Sequence, residues 1–202
     1  MKGLTRDGRG FISLFLVILL PLLMFLIAGT AQYTRFVAQS DVDLGQAVAE
    51  AARAAASCVV ERSQAEGEPR IDPDKANLVF VSVLAKNLGL DPVTLSPLPG
   101  SGMAGTPGYV LVVYNGDDRY APVGKKYVFN GAGLAVEDLA GEGFPRSFGV
   151  SKYDVLPGGA GARVTVLEAP GVVAVVTGRA KGVMGSDAET TRWAAARIVV
   201  RT

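Results

Sequence analysis

Carboxylate pairs are the first residues in this chain with chemical potential. Asp117 and Asp118 follow Asn115-Gly116, and Glu137-Asp138 have Glu142 nearby. Such pairs can run acid/base chemistry or hold calcium, but a calcium loop needs oxygen ligands at ordered, alternating spacings. The stretch "NGDD" offers Asn115, Asp117 and Asp118 inside a tight turn, and it reads as a solvated hairpin turn. Ser147 and Ser151 have no histidine to activate them, because the chain contains none, and a pairing with Lys152 has nothing specific to support it. With no histidine and one cysteine, the usual nitrogen and sulfur ligands of zinc cannot be assembled within one chain. That cysteine, Cys58, stands among small helix formers in "ARAAASCVVE" and reads as a buried, inert thiol. The run "GSGMAG" from Gly100 to Gly105 matches the spacing of a dinucleotide fingerprint, but prolines flank it and a strand follows, so it reads as a loop. The residues point to a non-catalytic protein with no metal and no cofactor.

The elements that carry these residues belong to a chain of 202 residues, room for one ordinary domain with something attached. A formal charge of +1, from 20 Lys and Arg against 19 Asp and Glu, supplies no basic surplus for phosphates, so nucleic acid is excluded as a partner.

The attached part is N-terminal. No charged side chain occurs from Gly10 to Thr34, and residues 11–29 read as a membrane span. As helix that stretch covers roughly 28 Å, close to the hydrocarbon core of roughly 30 Å. Lys2, Arg6 and Arg9 against Asp7 place the N-terminus in the cytoplasm and the rest outside it, giving a single-span protein of the inner or cytoplasmic membrane. "AGTA" at 28–31, before Gln32, also offers an exit for a secretory signal. Beyond it, Tyr33, Phe36, Val37, Leu44, Val48, Ala51, Ala52, Ala55 and Val59 recur at spacings near three and four, which predicts one helical rod from about Phe11 to Gln64. Gly67 and Pro69 in "EGEP" then end it.

A short basic leader ending in glycine ("RDGRG"), an apolar helix opening at Phe11, and Pro21 in its middle resemble prepilin-like proteins, most closely the TadE/TadG-like minor pilins of tight-adherence pili. Counted from Phe11, Pro21 falls on the family's eleventh-position proline, while Phe15 stands at the fifth position, where the family carries a glutamate that some tip or minor subunits lack. "DVDLGQAVAEAARAAA" is similar to the Asp/Ala-rich stretch that follows in such proteins. The resemblance implies cleavage between Gly10 and Phe11 by a prepilin-type peptidase, with residues 1–10 removed as a leader. It implies a retained helix that packs through Phe11, Phe15 and Pro21 against other pilin-like subunits, served by a pilus assembly platform. The function implied is that of a structural or minor subunit of a pilus or pseudopilus surface filament. An anchored or secreted binding domain, whose apolar segment is only a signal or tether, is the other reading of the same residues.

Residues 70–202 form the expected extracytoplasmic α+β domain. "RIDPDKANLVFVSVLAKNLGLDP" predicts a helix capped by Asp72, with Pro73 in its first turn and Gly89 at its end; Ala76, Val79, Phe80, Val83, Leu84 and Leu88 line one face. Strands are predicted over 109–114, with a turn at Asn115-Gly116, and over "KKYVF", with a turn at Asn130-Gly131. Others are predicted near 162–168, 171–183 and 190–201, while "GEGFPRSFG" reads as a loop or helix flank. The expected fold class is α+β and pilin-like: a long N-terminal membrane-spanning helix, packed with a second helix on one face of an antiparallel sheet of four or five strands. Trp193 is expected to anchor a sheet face.

Overall fold

The computed structural model describes residues 8–141, 143–159, 161–181 and 187–198, with side chains omitted at 8–14 and 31–42. The fold is α+β with antiparallel sheets. Helix α1 runs from Gly8 to Ala56 and α3 from Pro73 to Leu88, with a short α2 from Glu61 to Ala65 between them. Five strands follow the order β3-β2-β1-β7-β8: β1 Gly108–Tyr114, β2 Gly124–Phe129, β3 Leu134–Asp138, β7 Gly171–Ala180 and β8 Ala188–Arg197. A second sheet, ordered β5-β4-β6, comprises β4 Arg146–Val150, β5 Val155–Pro157 and β6 Arg163–Leu167.

The expected membrane-spanning helix is corrected. Among the described residues no helix is long and apolar enough to cross a membrane.

The rod also ends earlier than its periodicity suggests. After Ala56 the chain turns, and Val59 pairs with Ile71. The Val60 amide donates to the Arg70 carbonyl and the Asp72 amide to the Cys58 carbonyl, both at 2.8 Å. Val59 and Val60 are β-branched and favour an extended backbone once a partner strand is available, which local spacing cannot foresee. The returning segment delivers the chain to α3. There the Asp72 side chain accepts from the Asp74 and Lys75 amides, Pro73 opens the first turn, and Gly89 closes the helix at φ 64°, as the sequence predicts.

Three layers result. Leu44, Ala47, Val48, Ala51, Ala52 and Ala55 of α1, with Phe80 and Leu84 of α3, pack on Leu111, Val113, Val172, Ala174 and Val176 of the large sheet. The alanines bring α1 close to the sheet, and the Arg192 side chain from β8 runs along Gly45, which marks a near approach. The opposite face of β1 and β7 is covered by the small sheet, through Val110, Val112, Tyr114, Val173 and Val175 against Phe148, Val150, Val155 and Leu167. Strands β1 and β7 are therefore apolar on both faces and read as the continuous runs "YVLVVY" and "GVVAVV". The central strand of the small sheet, β4, comes largely from the stretch read as a loop or helix flank, which supplies its first four residues from Arg146 to Gly149. Trp193 is half-buried and packs against this second core, as expected of a sheet-face anchor.

Candidate functional site

Among the described residues the longest run of exposed apolar side chains is in the N-terminal part of α1. Each of Phe15, Leu16, Val17, Ile18, Leu19, Leu20, Leu22, Leu23, Met24, Phe25, Leu26 and Ile27 is between 41% and 69% exposed. Consecutive residues point in all directions around a helix, so this segment is apolar on every side and not along one stripe. Pro21 lies inside α1, which continues through it as helix. Lacking an amide hydrogen, Pro21 leaves the Val17 carbonyl without its usual partner four residues on. Phe15 and Pro21 thus share one apolar segment. Gly10 and Phe11 are helical in backbone, and the Phe11 side chain, like Lys2, Arg6 and Asp7 of the leader, lies outside the described residues.

Several of the polar residues singled out for chemistry are held in structural pairs. Asn115 is fully buried: its Oδ1 accepts the Ile71 amide at 2.8 Å, and its Nδ2 donates to the Ile71 carbonyl at 2.9 Å and the Pro122 carbonyl at 3.1 Å. Nine residues separate β1 from β2, so Asn115-Gly116 is not the two-residue hairpin turn expected but the start of a longer loop clamped to the α1–α3 connection. Asp117 belongs to the same clamp. Arg70 Nε donates to Asp117 Oδ1 at 3.0 Å and Nη2 donates to Oδ2, and this hydrogen bonding holds the Asp117 carboxyl below its usual range. Arg119 pairs with Glu68, and the Tyr120 hydroxyl donates to Glu66, which also pairs with Arg62. Asp118 is exposed beside them.

The second carboxylate cluster is dispersed in role. Glu137 lies 3.9 Å from Lys126, Asp138 is exposed, and Glu142 falls outside the described residues. Ser151 Oγ is engaged with the Asp154 backbone, while Lys152 Nζ pairs with Glu189 at 2.6 Å and lies 4.9 Å from the Tyr153 ring centre. No base therefore addresses either serine among the interactions seen. Cys58 is buried, its thiol pushed up by desolvation, as its small neighbours suggest. The "GSGMAG" stretch is a loop, with Met103 bridging to Ala180 and strand β1 beginning at Gly108. Among the described residues no group of three or more His, Cys, Asp or Glu is placed to hold a metal ion.

A cavity of about 260 Å³ opens on the small-sheet side, lined by Val110, Val128 and Val175 below and by Lys152 and Tyr153 at its wall. Its lining includes no carboxylate, cysteine or serine. Two roles escaped sequence reasoning: the Asn115 clamp, hidden because Asn-Gly is also the commonest hairpin signal, and Arg70, whose partner is 47 residues away.

No known protein family, curated protein or solved structure matches the chain.

Proposed function

We propose that this protein is a non-catalytic structural or minor subunit of a pilus-type filament, joined to its neighbours through the apolar segment of α1. The observation that carries this is the unbroken exposure of Phe15 to Ile27 around the whole helix. A helix apolar on one stripe needs one partner, but a helix apolar on all sides needs a complete surround. Helices of other copies supply it in a central bundle, with the sheet domain facing outward. The segment is large for an exposed apolar surface: burying even half of a dozen such side chains stabilises association by about 1 kcal/mol each. Supporting the same reading, the polar residues of the sheet domain are spent on internal pairs such as Arg70 with Asp117 and Lys152 with Glu189.

In this proposal a prepilin-type peptidase cuts between Gly10 and Phe11, and the helix is retained. The deciding measurement is the N-terminal sequence of the protein taken from its native cells and from surface material sheared off them. A start at Phe11 in the sheared fraction is expected. A start at Gln32 would show that the apolar helix is discarded and would refute the proposal, leaving a secreted binding domain.

A further inference from the structure

Among the described residues Lys126 is the charged residue that folding buries, at 6% exposure. It stands on β2, with Val112 of β1 as its register partner on one side and Glu137 of β3 on the other. Its Nζ lies 2.6 Å from Asp154 Oδ1 and 3.9 Å from Glu137 Oε2. Asp154 immediately precedes β5, and its Oδ1 also accepts the Val155 amide at 2.8 Å, which fixes the carboxylate toward Lys126. Strands β2 and β3 and the residue before β5 thus bring one amine and two carboxylates together at the junction of the two sheets.

We propose that Lys126 and Asp154 condense into an intramolecular amide, with Glu137 carrying the proton. The ammonium of Lys126 passes one proton through Glu137 to the Asp154 carboxylate, leaving a neutral amine and a neutral acid. The Nζ lone pair then forms a bond to Asp154 Cγ. The bond from Cγ to its hydroxyl oxygen breaks, and that hydroxyl leaves with a second proton from nitrogen as water. One ammonium and one carboxylate become one amide and one water, with no change of oxidation state and no co-reactant.

Two physical arguments favour the step at this place. An ion pair with a buried ammonium bears a desolvation cost that a neutral amide does not. Packing of the two sheets also holds Lys126 Nζ against the Asp154 carboxylate, and intramolecular groups placed in attacking geometry reach effective concentrations on the order of 10⁵ M or more. Asp154 sits at the rim, where the expelled water can leave. The product would staple β2 of the large sheet to the start of β5 in the small one, a covalent tie in a chain whose single cysteine cannot form an internal disulfide. The inference stands apart from the filament reading and is tested apart from it.

The test is tryptic peptide mapping of the purified, folded full chain by mass spectrometry. An amide at Lys126 blocks cleavage there, so the expected product is a branched peptide joining residues 126–146 to residues 153–163, lighter by one water than their sum. Free peptides 127–146 and 153–163 from folded protein would overturn the proposal. Lys126→Arg and Asp154→Ala should yield only unlinked peptides. Should either fail to fold, Glu137→Gln, at a more exposed site, should fold and lose most of the cross-link; undiminished linkage in that variant would overturn the role given to Glu137.

Discussion

Replacing Asn115 by alanine removes three hydrogen bonds from a site with no solvent access. Two of them serve the amide and carbonyl of Ile71, itself fully buried, and the third serves the Pro122 carbonyl. A hydrogen bond contributes about 1 kcal/mol net, but a buried donor or acceptor left unpaired costs about 1 to 3 kcal/mol. The Ile71 amide and carbonyl both become orphans in Asn115→Ala, so the expected loss is about 3 kcal/mol. It falls to about 1.5 kcal/mol if water enters the vacated space and pairs with them. Urea unfolding followed by the single tryptophan, half-buried Trp193, is a direct assay. With a slope of about 2 kcal/mol per molar urea, the midpoint should fall by about 0.8 to 1.5 M at unchanged slope. Asn115→Asp is the sharper variant, since it keeps the acceptor for the Ile71 amide but loses both donations and buries a charge. It should be at least as unstable at neutral pH and recover part of the deficit as acid restores a donor hydroxyl. A midpoint shift below about 0.3 M in Asn115→Ala would refute the idea that this side chain holds the β1–β2 loop to the α1–α3 connection.

Three further outcomes follow from the titrating groups. Asp117 and Asp74 have depressed pKa values, Asp117 through its bond from Arg70, and Asp74 through the Tyr127 hydroxyl and then Lys125. Depressed carboxylates contribute stability that is present above the unfolded pKa of about 4 and lost as pH falls through the lower folded values. Urea midpoints measured from about pH 5 downward should therefore fall, and fall less steeply in Asp117→Asn; the difference should be modest because both carboxylates reach solvent. Tyr109, buried and bonded to Asn77, has its pKa raised to about 12, so its phenol should stay protonated in alkaline difference spectra at a pH where a free tyrosine, with a pKa of about 10, has ionised. Its contribution to stability is intact below about pH 10 and disappears as pH rises through about 12. Cys58, buried with its thiol pushed up by desolvation, should resist alkylation in the folded protein at neutral pH and react at the ordinary rate in denaturant.

The features legible in the sequence were those set by neighbours a few residues apart. The α3 boundaries were fixed by Asp72, Pro73 and Gly89 because capping and left-handed closure are local chemistry. Strands β1, β6, β7 and β8 emerged from β-branched runs, and the Asn130-Gly131 turn works as predicted, with Asn130 Oδ1 accepting from the Ala132 and Gly133 amides. Where a residue has two competent local readings, the sequence could not choose. Asn115-Gly116 has the same composition as Asn130-Gly131, yet one is a buried clamp and the other a hairpin loop, because only the first meets the returning chain at Ile71. Val59 fits the helical rhythm until Ile71, 12 residues on, claims it as a strand partner.

By itself the sequence determined that no histidine or internal disulfide chemistry is open to this chain, that its N-terminal segment is apolar on all sides, and that an α+β domain follows. These are properties of composition and short-range periodicity, which hold however the distant parts are arranged. Only the tertiary structure decided that the sheet is sandwiched between helices and a second sheet, and that Asp117 is neutralised by Arg70. It alone decided that Lys126, one of two adjacent lysines, turns inward to Asp154 while Lys125 turns to Asp74. Successive strand residues face opposite layers, so what each lysine meets depends on the elements that pack there, and those arrive from 28 residues downstream and 51 residues upstream.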